Sequence, residues 1–205
     1  MNRVLPILFN TDMVRAILDG RKTVTRRVIK PKSKNACGFY VTYRKSDGEF
    51  MGVYDYDENE FQFDNPHTPP YQPGDVLYVR ETWCKNPNYE EYYFKTRPYG
   101  IAPYGLKWKP SIHMPKEIAR IFLKVKDVHV ERLQDITEEQ AQAEGCNSGM
   151  LTGPCTARGQ FENLWNSTIK KSDLDNYGWK SNPWVWVIEF ERCEKPELLE
   201  GGAEE

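Results

Sequence analysis

Apolar residues follow two different periods along this chain, and each period predicts a different kind of element. Residues 13–18 repeat apolar side chains at helical spacing, and Thr11 or Asp12 ahead of them can cap a helix. Gly20 stands where the end of such a helix needs a left-handed residue. Residues 20–27 read G-R-K-T-V-T-R-R, which is typical of an extended strand that carries hydrogen-bond donors. The N-terminal region is therefore predicted as a short amphipathic helix followed by a basic strand.

Two further regions show the alternation of β-strands. Residues 39–54 predict a hairpin whose tip is formed by residues 46–48. Residues 75–83, D-V-L-Y-V-R-E-T-W, predict a strand that places Glu81 on the same face as Leu77, Val79 and Trp83. A carboxylate on an apolar face rarely lacks a specific partner, so we favour a role for Glu81 in a functional site. The alternative is that Glu81 pairs with an arginine across the barrel.

The C-terminal half alternates predicted strands and helices. Residues 118–126 and 128–133 predict two consecutive strands, and a capping box opens a short helix over residues 137–145. Residues 161–169 repeat apolar side chains on one helical face. Residues 183–191, P-W-V-W-V-I-E-F-E, are apolar on both faces, which is typical of a strand in the centre of a sheet or closing a barrel.

These elements predict one α+β domain built around a small mixed β-barrel with a few flanking helices. We place this domain at residues 1–193. Residues 33–70 and 85–106 are rich in polar, aromatic and turn-forming residues, and we predict that both are insertions on the core fold. The charged, glycine-containing residues 194–205 are predicted to form a disordered tail.

Composition limits the classes of function. The 205 residues are 39% hydrophobic and carry a net charge of −2, with an isoelectric point near 6.0. A protein that coats nucleic acid without specificity usually has a broad basic face, so any contact with nucleic acid must be local. A local concentration of cations does exist in residues 21–30, because five of these ten are basic: Arg21, Lys22, Arg26, Arg27 and Lys30.

Several other properties exclude particular kinds of site. The sequence has no apolar run long enough to span a membrane and no N-terminal stretch typical of a signal peptide, so we expect a cytoplasmic protein without a membrane partner. Its five cysteines are scattered and include no C-x-x-C pair, which predicts reduced thiols. No group of histidine, cysteine and carboxylate residues has metal-ligand spacing, so no metal or other cofactor is predicted.

Several separated segments together resemble the ASCH domain of the PUA-like superfamily, in particular its long form common in bacterial and phage genomes. They are the first helix with G-R-K-T-V-T-R-R, then P-G-D-V-L-Y-V-R-E-T-W, K-P-S-I-H-M-P, L-Q-D-I-T-E-E-Q-A-Q-A-E-G, and finally F-E-N-L-W with N-P-W-V-W-V-I-E-F. The resemblance covers residues 5–192. It implies a pseudo-barrel that binds RNA or nucleotide-like ligands in a cleft beside the first helix.

One branch of this family hydrolyses N4-acetylcytidine with a lysine and a threonine of a K-T-x-T segment and a glutamate of the helix that follows T-E. The resemblance places these roles on Lys22, Thr25 and Glu144. Thr25 would attack the acetyl carbonyl, and Lys22 would act as the base if a neighbouring arginine lowers its pKa. Glu144 would hold the leaving amine or orient Lys22. The alternative is structural, with a salt bridge between Lys22 and Glu144 and Thr25 filling a strand position.

The same cleft implies a set of residues that contact a ligand. Arginines would hold phosphate, Trp83 would stack on a base unless it is buried in the core, and Glu81 would bind a base edge. The full set is Arg21, Arg26, Arg27, Arg80, Glu81, Trp83, Ser111 and His113. Three hypotheses follow: an RNA- or nucleotide-binding protein, an amidohydrolase acting on N4-acetylcytidine-type nucleosides, and a ribonuclease with His113 as its acid or base.

Overall fold

The computed structural model describes residues 3–57, 66–97, 101–147 and 156–196. The strands in these ranges are β1 (Val4–Leu8), β2 (Val24–Val28), β3 (Gly38–Tyr43), β4 (Phe50–Tyr56), β5 (Val76–Arg80), β6 (Trp83–Lys85), β7 (Tyr92–Phe94), β8 (Phe122–Arg132) and β9 (Trp184–Cys193). The α-helices are α1 (Thr11–Leu18), α2 (Glu138–Ala143), α3 (Ala157–Thr168) and α4 (Leu174–Tyr177). The predicted α+β class is therefore confirmed.

The main sheet has five strands in the order β1-β5-β8-β9-β2. β1 runs parallel to β5, and the other neighbouring strands are antiparallel. No closed barrel is detected within the described residues, because β1 and β2 remain the two edge strands. Residues 6–8 of β1 and 25–28 of β2 line one cavity, at the place where a barrel would need a backbone ladder. The sheet is thus open on the side that carries the basic strand.

Apolar side chains cover both faces of this sheet. On one face, residues of α1 and of the β3–β4 pair pack in one cluster with Leu77, Leu123 and Ile188. On the other face, α2 and α3 pack against Val185 and Val187. β9 therefore has buried side chains on both faces and a strand neighbour on either side, as its two-sided apolar pattern predicts.

The region predicted as two strands after residue 118 forms one long strand. β8 pairs with β9 over its length, and its register shifts between Val125 and Asp127. Such a β-bulge adds one residue to one strand, so the strand can continue where its side-chain alternation changes phase. The predicted break between residues 126 and 128 is therefore wrong.

The helix starts are fixed by side chains that accept backbone hydrogen bonds. The side chain of Asn10 accepts a hydrogen bond from the backbone N–H of Met13 at 2.8 Å, so Asn10 is the cap of α1. Our prediction of Thr11 or Asp12 as the cap is wrong, since both residues already belong to the helix. The predicted capping box of α2, which starts at Thr137, is confirmed.

The hairpin predicted over residues 39–54 is confirmed as the β3–β4 pair. Neither this pair nor the β6–β7 pair adds a strand to the main sheet. The limits of the domain and of its two insertions remain predictions, and residues 197–205 of the predicted tail lie outside the described residues. Within the described part of the chain, no helix combines the length and the apolar character that crossing a membrane requires.

Candidate ligand-binding cleft

A cavity of about 820 Å³ opens between the two edge strands of the main sheet. β1 and β2 form two of its walls, and residues 161–165 of α3 together with the segment 168–177 contribute to the others. Small-molecule sites in proteins are commonly clefts of roughly 300–1,000 Å³, so this space has the size of a ligand site. We call it the cleft.

Arg27 crosses the gap between the edge strands. Its Nη2 donates to the backbone oxygen of Leu8 on β1 at 3.2 Å, and its Nη1 donates to Oγ1 of Thr25 at 2.8 Å. Burial lowers the pKa of Arg27, and the negative charge of Glu144 opposes this change. A side chain therefore connects the two edges where a backbone ladder is missing, and the space beside it stays open.

Glu144 forms part of the floor of the cleft and makes a buried ion pair with Lys22. Lys22 Nζ donates to Oε2 of Glu144 at 2.5 Å, to the backbone oxygen of Glu144 at 3.0 Å and to that of Val24 at 2.8 Å. All three ammonium hydrogens thus have an acceptor. The two side chains are only 0% and 3% exposed. This contact ties the start of the basic strand to the end of α2, as the structural alternative expects.

The pKa of Lys22 is lowered, mainly because burial disfavours the charged form of an amine. The charge of Glu144 and its hydrogen bond with Lys22 oppose the lowering, and the positive charge of Arg27 adds to it. The amidohydrolase hypothesis requires a neighbouring arginine to lower this pKa, and Arg27 does contribute to the lowering. The direction is as expected, but burial is the larger cause.

Arg26 extends the ion pair into a larger cluster. Its Nε and Nη2 donate to Oε1 of Glu131 on β8 at 2.8 and 2.5 Å, and its Nη1 donates to Oε1 of Glu144 at 3.3 Å. Its side chain is fully buried. Arg26 was predicted to hold phosphate, but both carboxylates already engage it. We call Lys22, Arg26, Glu131 and Glu144 the floor cluster.

A glycine explains why Glu144 can reach Lys22. Gly145 has a φ of +95°, a backbone conformation that favours glycine, and it ends α2 directly after Glu144. A Cβ at this position would stand 2.8 Å from the Cβ of Ala16 and 3.4 Å from that of Lys22. The E-G pair in the sequence therefore lets the end of α2 approach both α1 and the basic strand closely.

Of the residues implied for amide hydrolysis, Lys22 and Glu144 are in direct contact, but not all three face the cleft. Thr25 and Glu144 line it, whereas Lys22 is not among the described lining residues. Lys22 lies behind Glu144 and is bonded to it. Thr25 is itself 1% exposed and accepts a hydrogen bond from Arg27, so its hydroxyl proton remains available to a second acceptor.

The residues expected to contact a ligand divide into two equal groups. The described lining residues include Arg26, Arg27, Arg80 and Ser111. They do not include Arg21, Glu81, Trp83 and His113. Arg80 donates from Nε to the backbone oxygen of Met114 at 2.8 Å, which leaves its two terminal nitrogens as possible donors.

Arg21 and His113 are exposed outside the cleft. Arg21 donates to the backbone oxygen of Gly145 at 2.8 Å and to the carboxylate of Asp19 at 3.0 Å. His113 ends a short 3-10 turn over Ser111–His113. No histidine is found among the described residues that line the cleft, so His113, the acid or base of the ribonuclease hypothesis, lies outside it.

Glu81 and Trp83 belong to a separate buried region. The Glu81 carboxylate accepts hydrogen bonds from Nε and Nη2 of Arg120 at 2.8 and 3.0 Å and from Oγ1 of Thr96 at 3.0 Å. This is the arginine pairing that we considered as the alternative to a site role. Trp83 packs in an apolar cluster with Phe94 and others, which agrees with burial in the core. We call Glu81, Thr96 and Arg120 the Glu81 cluster.

Sequence reasoning missed the part of the cleft that follows α3. Lys170 and Tyr177 line the cavity opposite the basic strand, together with Trp165 of α3. Lys30 also lines it, and its Nζ lies 5.1 Å from the centre of the Tyr177 ring. The only signal in the sequence was the pair of lysines at residues 170–171, which gives no indication of what it faces.

A further group of possible metal ligands lies on β8 and β9. One ligand atom from each of Asp127, His129 and Glu189 falls within 4.8 Å of the others. We predicted no metal site, because these residues have no recognisable spacing along the chain. The group arises from the pairing of two strands that are far apart in the sequence.

Comparison with known proteins gives no match: no family model, no curated protein and no solved structure corresponds to this chain. The functional argument therefore rests on the sequence motifs and on the chemistry of the cleft.

Proposed function

We propose that this chain is an ASCH-type protein of the PUA-like superfamily and that its cleft binds single-stranded RNA or a nucleotide. The observation that carries the proposal is the open volume between β1 and β2, which is bordered by both cations and aromatic rings. α1 follows β1 directly, so this volume lies beside the first helix, where the resemblance implies a ligand cleft. The sequence motifs support the family assignment.

The cations on the rim are suited to phosphate. Lys30 and Lys170 are exposed, line the cleft, and make no ion pair with another described residue. Arg27 lies between them and the floor cluster. Asp173 is the acidic residue on the same rim. Lysine and arginine that are free to bind phosphate release counterions, and this supplies much of the affinity for a nucleic-acid strand.

The aromatic rings are suited to a base. Tyr177 and Tyr71 line the cleft and are partly exposed, whereas Trp165 lines it as a buried member of the apolar core. The Trp165 ring is fixed, because its Nε1 donates to the backbone oxygen of Tyr177 at 2.8 Å. Stacking of a base on an aromatic side chain contributes about 1–3 kcal/mol and tolerates any base. Rings and cations on one cavity therefore favour a nucleotide over a purely anionic ligand.

Fluorescence anisotropy with a short labelled single-stranded RNA, repeated over a series of salt concentrations, tests this proposal. We expect Lys30→Ala and Lys170→Ala each to weaken binding. Each should also reduce the slope of log affinity against log salt by about 0.7, the value for one phosphate contact on a single strand. Tyr177→Leu should weaken binding without changing the slope.

Two exposed lysines that do not line the cleft provide matched controls. Lys85→Ala and Lys180→Ala remove the same charge from other parts of the surface, so they should leave the slope unchanged. If all four lysine variants lose affinity equally, binding is a property of the whole surface and the proposed cleft is not the site. Failure of the wild-type protein to bind RNA or any mononucleotide would also contradict the proposal.

A second candidate function is hydrolysis of an N4-acylated cytidine. The observation that favours it is the position of Thr25 and Glu144 on the lining of the cleft, with Lys22 bonded to Glu144. Thr25 would attack the acyl carbon while Lys22 takes the hydroxyl proton, and the C–N bond would break as that proton passes to the leaving cytidine amine. Water would then hydrolyse the acyl-threonine ester and release the carboxylic acid, with Glu144 orienting Lys22. The lowered pKa of Lys22 favours the neutral amine that a base requires. Lys22 would have to release one of its three hydrogen bonds to accept the proton from Thr25.

Release of acetate from N4-acetylcytidine distinguishes this candidate from binding alone. Thr25→Val keeps the shape of the side chain but removes the hydroxyl, so turnover should fall at least about a hundredfold. Thr25→Ser should retain activity. Wild-type protein that binds cytidine but releases no acetate would exclude the hydrolase and leave the binding function standing.

A further inference from the structure

The β-bulge of β8 brings three potential metal ligands to one face of the sheet. The register shift after Val125 sets Asp127 directly opposite Glu189 on β9. His129 follows two residues after Asp127 on the same strand, so its side chain points to the same side of the sheet. Asp127 and His129 on β8 and Glu189 on β9 therefore form a triangle on a rigid backbone.

We propose that Asp127, His129 and Glu189 bind a divalent transition-metal ion of the zinc type. Their ligand atoms lie within 4.8 Å of one another, so small side-chain rotations would bring them around one ion. Asp127 and Glu189 are exposed and His129 is half-buried, and an ion can therefore reach the site from solvent. Three ligands from the protein leave room for water in the remaining position.

The charges at this position are arranged for a cation. Asp127 and Glu189 are like charges on directly opposed residues of adjacent strands, an arrangement that destabilises a sheet; the imidazole of His129 lies against Asp127 at 2.7 Å, but no described side chain lies against Glu189 in the same way. The side chain of Glu189 forms no hydrogen bond or ion pair with any other described residue. Lys126, the neighbouring cation, is paired instead with Glu191 at 3.4 Å. A bound divalent ion would neutralise both opposed carboxylates.

A carboxylate lies near each of the two imidazole nitrogens of His129. Its Nδ1 lies 2.7 Å from Oδ2 of Asp127, in the position that an ion would share with both atoms. On ion binding, any proton between these atoms would leave to solvent. Its Nε2 lies 3.8 Å from Glu131, which Arg26 holds in the floor cluster. This distance is too long for a hydrogen bond, so Glu131 contributes only a negative charge near the second nitrogen of the imidazole.

The ligand set also indicates the class of ion. Imidazole with two carboxylates suits zinc, cobalt or nickel, whereas magnesium and calcium prefer oxygen ligands alone. Zn²⁺ should therefore bind and Mg²⁺ should not displace it. This site is separate from the proposed nucleotide function, because none of its three residues lines the cleft.

Calorimetric titration of the untagged, chelator-treated full chain with Zn²⁺ tests the proposal, together with the absorption spectrum of bound Co²⁺. We expect one equivalent to bind and the Co²⁺ spectrum to lack thiolate charge-transfer absorption. His129→Ala should remove this binding, and Glu189→Gln should weaken it at least tenfold. His113→Ala, which alters an exposed histidine elsewhere, should leave it unchanged.

Circular dichroism of each variant confirms that it is folded, and Asp127→Asn provides a second variant if His129→Ala fails to fold. The proposal is overturned if wild-type protein binds no Zn²⁺. It is equally overturned if folded His129→Ala, or Asp127→Asn in its place, binds Zn²⁺ as tightly as the wild type, or if the Co²⁺ spectrum shows thiolate ligands.

Discussion

Two glutamates in this protein are almost equally buried, but only one of them lines the cleft. Glu144 and Glu81 are 3% and 1% exposed, and each is held by at least one cation. Glu144 faces the open cleft, and both of its cationic partners are fully buried. Glu81 is not among the described lining residues, and its partner Arg120 is 38% exposed. Of these two buried charges, only that of Glu144 is therefore placed where a ligand could reach it.

The largest effect should come from neutralising Glu144. Glu144→Gln keeps the size of the side chain but leaves the charges of Lys22 and Arg26 buried with fewer partners. Removing one partner of a buried ion pair typically destabilises a protein by about 3–5 kcal/mol. Urea denaturation should show a loss of this size in the free energy of unfolding. Glu139→Gln, an exposed change on the same helix, should have little effect.

Glu81→Gln should have a smaller effect, because water can reach Arg120 once the carboxylate is gone. We expect a loss of about 1–3 kcal/mol in the free energy of unfolding, the usual range for an unsatisfied buried group. Affinity for RNA should not change. A stability loss as large as that of Glu144→Gln, or a loss of RNA affinity in folded protein, would contradict the distinction between the two clusters.

Titration of Lys22 should also distinguish the two clusters, since the Glu81 cluster contains no lysine. Because burial lowers the pKa of Lys22, the native state loses this proton at a lower pH than the unfolded chain, whose lysine keeps the ordinary value of 10.5. Between these two values the unfolded state binds more protons, and stability rises with pH by at most about 1.4 kcal/mol per unit.

The measurement is the free energy of unfolding of wild-type protein relative to Lys22→Met over the alkaline range. The stability of the wild type relative to Lys22→Met should increase as pH rises towards 10.5 and then stay constant. A difference that moves in favour of Lys22→Met would show that the attraction of Glu144 outweighs burial.

The smallest effect should come from Arg21, an exposed member of the basic run that does not line the cleft. Arg21→Ala removes a surface ion pair with Asp19, and such pairs contribute less than about 1 kcal/mol. Its RNA affinity should match that of the wild type, in contrast to Lys30→Ala. Loss of affinity in Arg21→Ala would extend the binding surface beyond the cleft.

Local sequence signals predicted much of the fold and part of the cleft. The hairpin, the capping box of α2 and the two-sided burial of β9 follow from residues that are close in the chain. The meeting of Lys22 with Glu144 was implied by the family resemblance. These predictions succeed because each depends on short-range spacing or on a motif that spans the contact.

The remaining features depend on contacts between distant segments. The periodicity of a strand does not indicate which strand it pairs with, so the sequence could not show that β1 and β2 do not pair with each other. A barrel was therefore predicted where the structure has an open cleft. Lys170 and Tyr177 reach the cleft only because α3 packs beside β2. The bulge in β8 sets the register that joins Asp127 to Glu189, and a single strand pattern cannot show it.

We propose that the cleft binds a nucleotide strand and that the Glu81 cluster is structural. Backbone amide chemical shifts, measured by NMR during titration with a short single-stranded RNA, test both halves in one experiment. Changes should concentrate in residues 25–30 and 168–177, and the amides of Glu81 and Arg120 should not shift. Saturable changes centred on the Glu81 cluster, with none in those two segments, would contradict the account.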